Sequence, residues 1–124
     1  MNDKRAVLVV GAGDATGSAI AQRFAREGYI ACLTRRSADK LAPLVARIQA
    51  QGGSAYGFAS DARKEDEVVA LIAKIEHDIA PIAVAVFNVG GNVRFGITET
   101  TERVYRKVWE IGRASCRERV YSSV

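Results

Sequence analysis

Near the start of the chain, Gly11-Ala12-Gly13-Asp14-Ala15-Thr16-Gly17 has the composition of a tight turn that lets backbone amides come close to a ligand. It follows the apolar run Ala6-Val7-Leu8-Val9-Val10 and precedes residues of helical spacing. A helix N-terminus carries unpaired N–H groups and the positive end of the helix dipole, so a diphosphate bound there is stabilised without a charged side chain. The spacing is not G-x-G-x-x-G, because Thr16 stands where the third glycine would fall. The plainer alternative is a tight turn with no ligand. Further on, Leu33-Thr34-Arg35-Arg36-Ser37 sets two guanidinium groups at the end of a second apolar run, with no acid nearby. One planar guanidinium can hold a phosphate with two bonds while its neighbour stacks on a base; alternatively both are simply solvated. Ser60-Asp61-Ala62 and Phe87-Asn88-Val89-Gly90 close the third and fourth apolar runs in the same way.

Four strands and four helices must hold these residues. Ala6 to Val10 reads as a strand buried on both faces. Ile20 and Phe24, flanked by Ala21 and Ala25, share one face of a helix that Gly28 stops. Tyr29 to Leu33 is the second strand. Leu41, Leu44, Val45 and Ile48 then fall at helical spacing before Gly52-Gly53. Ala55 to Ala59 is a third strand, and Glu65, Asp66 and Glu67 suit the first turn of a helix whose buried stripe is Val68, Leu71, Ile72 and Ile75. Ile82 to Phe87 is the fourth strand. A fourth helix begins near Thr100 and carries Val104 and Val108. Such alternation predicts an α/β, Rossmann-type, doubly wound parallel sheet with strand order 3-2-1-4. Its ligand belongs at the carboxyl ends of the strands, where arginine in place of an acid after strand two favours NADP over NAD.

These motifs resemble those of short-chain dehydrogenases/reductases, whose turn reads T-G-x-x-x-G-x-G. Here Val10 replaces the threonine, Gly11 and Gly17 match, and Ala15 replaces the middle glycine, where its methyl narrows the approach to the diphosphate. The resemblance implies a cofactor site made of Gly11, Gly13, Asp14, Ala15, Thr16 and Gly17, with Arg35 and Arg36 at the adenosine phosphate. It implies that Asp61 and Ala62 contact adenine, that Asn88 ties neighbouring strand ends together, and that Val89 and Gly90 pass beside the ribose. Taken alone, Asp61 could be a helix cap and Asn88 a turn residue.

The family's reaction moves hydride between NADP(H), or NAD(H), and a carbonyl or alcohol carbon, using a tyrosine acid/base tuned by a lysine four residues on. No Y-x-x-x-K occurs here; Lys107 lies only two residues after Tyr105. The family's asparagine on the fourth helix would align near Gly112, and its serine lies further on. No catalytic residue is therefore assigned, and residues 1–110 are expected to be the truncated, nucleotide-binding part of a longer enzyme. The resemblance also implies a homo-oligomeric parent acting on a small carbonyl or alcohol compound. A non-catalytic dinucleotide sensor is the second possibility, and a flavodoxin-like phosphate-binding module the third.

Composition narrows the remaining classes. Of 124 residues, 48% are apolar, which is enough for one domain with a real core. No run approaches the length of a membrane span, and Met1 to Arg5 leads directly into a strand, so a cytoplasmic location is expected. The net charge is +4, of which residues 111–124 contribute +2, and no basic stripe suggests nucleic acid. That last segment, Ile111 to Val124, has neither stripe nor alternation and resembles translated sequencing-adapter read-through, so it is expected to be a non-native tail. Cys32, in an apolar run, is expected to pack in the core, and Cys32 with Cys116 forms no disulfide or zinc pattern. No metal site is expected. His77 is expected on the surface, and Tyr105 and Trp109 in a core or a subunit interface.

Overall fold

The computed structural model of the chain describes residues 4–12, 15–88, 96–107 and 109. β1 (Ala6–Val10) carries no polar side chain and is buried throughout, so both of its faces need cover. Crossover helices between parallel strands supply it. The elements are β1, α1 (Ala15–Arg26), β2 (Ile30–Arg35), a short 3-10 turn (Ala38–Leu41), α2 (Ala42–Ala50), β3 (Ser54–Ala59), α3 (Glu65–Asp78) and β4 (Ile82–Phe87). All the strand pairs are parallel and the order is β3-β2-β1-β4, as predicted.

Alternation along the strands divides the core into two layers. Val7, Val9, Ala31 and Leu33 face α1 and α2, against Ala21, Leu41, Leu44 and Ile48. Leu8, Val10 and Cys32 face α3, against Leu71 and Ile75. Leu33, Leu41, Ile48 and Ile75 are fully buried, and each such side chain contributes about 1.5–3 kcal/mol. Cys32 packs in this core, where burial pushes its thiol up to about 11.

Local chemistry shifts two boundaries. Tyr29 does not begin β2; its N–H finishes α1 on the Phe24 carbonyl (3.2 Å), and its ring meets Phe24 edge-on at 5.3 Å. β2 instead runs on through Thr34 to Arg35. Leu41 lies in the 3-10 turn rather than in α2, which starts at Ala42 with Pro43 in its first turn, where a missing N–H costs nothing. Gly28 and Gly52 follow α1 and α2 with positive φ, as their stop signals predict.

Residues 102–107 are helical, and the Thr101 hydroxyl accepts the Val104 N–H at 3.2 Å. Val108 lies outside the described residues. Tyr105 and Trp109 are 66% and 64% exposed, so of the two expected placements, a core or a subunit interface, the core does not hold. Within the described helical residues only Val104 is even half-buried, and no apolar stripe holds that face against the sheet. His77 is exposed, as expected, beside Asp78. Among the described residues no helix is long and apolar enough to cross a membrane, and no three His, Cys, Asp or Glu side chains are grouped to hold a metal.

Candidate functional site

Parallel strands bring all four carboxyl ends to one edge of the sheet. Gly11 follows β1, Arg35 closes β2, Asp61 follows β3 and Asn88 follows β4. After β3 the chain crosses to the far side of β1, so the strand order changes direction between β1 and β4, the position outside which open parallel sheets bind ligands.

The glycine turn is built from backbone. Gly11 adopts φ +88°, a left-handed conformation that side chains resist. The Gly11 and Ala12 N–H groups both donate to the Thr34 carbonyl, at 2.9 and 3.2 Å, pinning the turn to the end of β2. Gly17, in the first turn of α1, lies directly against it. A Cβ there would come within 2.4 Å of the Gly11 oxygen and 2.8 Å of the Ala12 Cα. Only a hydrogen at that position lets α1 start so close to the strand end. Ala15 and Thr16 are exposed at the start of α1, whose first turn contains no acid. Among the described residues of α1, no acid competes at its positive end. Gly13 and Asp14 lie outside the described residues.

Asn88 joins the strand ends. Its N–H donates to the Val10 carbonyl at 2.8 Å and its side-chain amide to the Gly11 carbonyl at 3.1 Å. It is thus a tie between β1 and β4 rather than only a turn residue. Val89 and Gly90 lie outside the described residues.

Arg35 is half-buried in register with Ala59, and Arg36 is exposed. Among the described residues neither has a carboxylate within ion-pair distance. The expectation of no nearby acid needs one correction, because Asp39 stands three residues beyond Arg36. Its carboxylate is bonded to the Ser37 hydroxyl, and that bond holds it below the usual carboxylate range.

Asp61 does not cap α3, whose N-cap residue is Lys64. Its Oδ1 accepts the Arg63 N–H at 3.0 Å, closing a local turn, while the Arg63 guanidinium forks onto both oxygens at 3.0 and 2.9 Å. The guanidinium holds the Asp61 carboxyl at about 2. Ala62 is buried beside it. The sequence reading missed Arg63; the signal available was an Asp and an Arg two residues apart immediately after a strand. It also missed Thr34, whose contribution is a carbonyl and so independent of side-chain type.

Together these residues place the N-terminus of α1, two arginines and a small-residue turn along one edge, suited to an elongated anionic ligand. The family model for short chain dehydrogenases matches residues 5–116, running past Glu110. A 3beta-hydroxysteroid dehydrogenase of Mediterraneibacter gnavus is 32% identical over 107 residues, covering 86% of this chain and 38% of that protein. A short-chain dehydrogenase structure from Rhodopseudomonas palustris is 52% identical with a TM-score of 0.81, covering 90% of this chain and 51% of that one. An actinorhodin polyketide ketoreductase solved with NADPH is 28% identical with a TM-score of 0.82, covering 88% and 42%. The chain spans about half or less of the length of these proteins. With the sheet order, the glycine turn and the Asn88 tie, the match over nearly the whole sequence means that this chain belongs to the short-chain dehydrogenase family.

Proposed function

We propose that this chain is the nucleotide-binding part of an NADP-preferring oxidoreductase, which transfers hydride between NADP(H) and the carbonyl or alcohol carbon of a small molecule in the cytoplasm. The observation that carries this reading is the convergence of Gly11, Gly17 and Asn88 at the carboxyl edge of the sheet, with Arg35 at the end of β2 and no carboxylate among the described residues paired to it. The close approach of α1 to β1 that Gly17 permits brings the N-terminus of α1 to this edge, which suits a diphosphate, and the NADPH complex of the related ketoreductase supports the same choice.

NADPH, when bound, supplies the hydride. The residues of this chain bind and orient it. The turn from Gly11 to Gly17 would border the diphosphate, with the amides of Gly13, Asp14, Ala15 and Thr16 toward it, and Arg35 would pair with the 2′-phosphate while Arg36 stacks on the base. Asp61 and Ala62 would border the adenine, and Asn88, Val89 and Gly90 the ribose. The serine, tyrosine and lysine of catalysis would lie downstream, leaving the 124 residues inactive alone. A homo-oligomeric parent, with neither nucleic acid nor membrane as partner, completes the proposal.

The test titrates NADPH and NADH into the full-length parent, followed by nicotinamide fluorescence. Tighter binding of NADPH is expected, and equal affinity or a preference for NADH would refute the NADP assignment. Reading the parent gene beyond codon 110 separates the enzyme from a non-catalytic dinucleotide sensor, since only the enzyme requires a downstream Y-x-x-x-K.

A further inference from the structure

The corner after β3 differs from the rest of the edge because its acid is already engaged. Arg63 donates to Asp61 through its main-chain N–H, Nε and Nη2. A carboxylate offers about four lone-pair positions, so little acceptor capacity remains. The Asp61 N–H is also taken, by Glu67 Oε1 at 3.2 Å. The Asp61 side chain is 15% exposed and that of Arg63 33%, so of the pair the guanidinium is the more open to solvent. The corner adjoins the end of β2, because the Ser60 N–H donates to the Arg35 carbonyl at 3.0 Å.

We propose that Arg63 sets the base selectivity of the nucleotide site: forked onto Asp61, it withholds that carboxylate from the amine of the base and offers the base a fixed guanidinium plane instead. This rests on the dinucleotide reading above. A free carboxylate accepts from the 6-amino group of adenine and repels the 6-oxo group of hypoxanthine. A guanidinium plane attracts the π-face of either base and discriminates weakly. The fork holds the plane in place before ligand arrives, so little side-chain freedom is lost on binding.

The experiment titrates NADPH and its hypoxanthine counterpart into the full-length parent by calorimetry, for wild type, Arg63→Ala, Arg63→Lys and the double variant Arg63→Ala/Asp61→Asn, each checked for native circular dichroism. Wild type should bind the two ligands within about threefold of each other. Arg63→Ala frees Asp61 and should favour the adenine form by about tenfold or more. The double variant should return to the wild-type ratio. Should Arg63→Ala fail to fold, Arg63→Lys, which loses the fork but keeps the charge, should move the ratio in the same direction. A tenfold adenine preference already present in wild type, or a ratio indifferent to every Arg63 variant, would overturn the proposal. Failure of both ligands to bind wild type would overturn the dinucleotide reading itself, and this inference with it.

Discussion

Gly17 lies so close to Gly11 that a Cβ on the first would stand 2.4 Å from the carbonyl oxygen of the second. Real carbon and oxygen atoms do not approach so closely, and both partners are backbone at the start of a helix and the end of a strand. Gly17→Ala must therefore push α1 away from β1. It is expected to cost about 1–3 kcal/mol, as overpacking does, and to abolish dinucleotide binding. Denaturant melts and calorimetry check the two effects. Ser18→Ala, next in sequence and half-buried, is the control that should change neither.

Arg35→Asp should weaken NADPH selectively, by about 1–3 kcal/mol if one charge-assisted contact is lost, while NADH is held as well or better. Because no described carboxylate pairs with Arg35, the substitution should leave the melting temperature nearly unchanged. Parallel titrations of both cofactors with a thermal melt provide the check. Equal losses for both cofactors would show that Arg35 does not meet the 2′-phosphate.

The ion pair of Asp61 and Arg63 should appear in the acid limb of the stability curve. Folding lowers the Asp61 carboxyl from 3.8 to about 2. A depressed carboxylate contributes stability that is fully present above its unfolded value and is lost as pH falls through its folded value. The window is therefore pH 4 down to pH 2. Asp61→Asn should flatten the loss of stability there, by at most about 1 kcal/mol because Arg63 is partly solvated. Denaturant melts at pH 5 and pH 2.5 measure it, and identical slopes for wild type and variant would refute the coupling.

β4 should make the isolated 124-residue chain associate. Among the described residues it is hydrogen-bonded to β1 alone, on one side, and none of its six residues is buried. Beside it, a largely apolar cleft of about 200 Å³ opens between β4 and α3, lined by Ile72, Ala83, Ala85 and Phe87 among others. An apolar strand with one unpaired side is a template for another strand. Size-exclusion chromatography should show oligomers, with weak hydrogen-exchange protection of the amides from Val84 to Phe87. A monodisperse monomer protected there would count against it.

Much of the architecture follows from sequence periodicity alone. The uninterrupted apolar run Ala6 to Val10 can be satisfied only by cover on both faces, and helices between such runs require parallel crossovers, which is why the order β3-β2-β1-β4 was legible. Gly11 and Gly17 were legible as a turn for the same local reason, since their lack of a Cβ is a property of the residues themselves. What needed the tertiary structure was every relation between distant strand ends. Sequence types do not reveal that the Thr34 carbonyl takes two turn amides, or that Asn88 reaches back 77 residues to Gly11. Nor do they reveal that Asp61 faces Arg63 instead of capping α3, because a short acid two residues from an arginine can close a local turn or start a helix. Tyr105 and Trp109 show the converse: their aromatic rings suggested a core or a subunit interface, only packing decides between such alternatives, and their exposure in this chain removes the core.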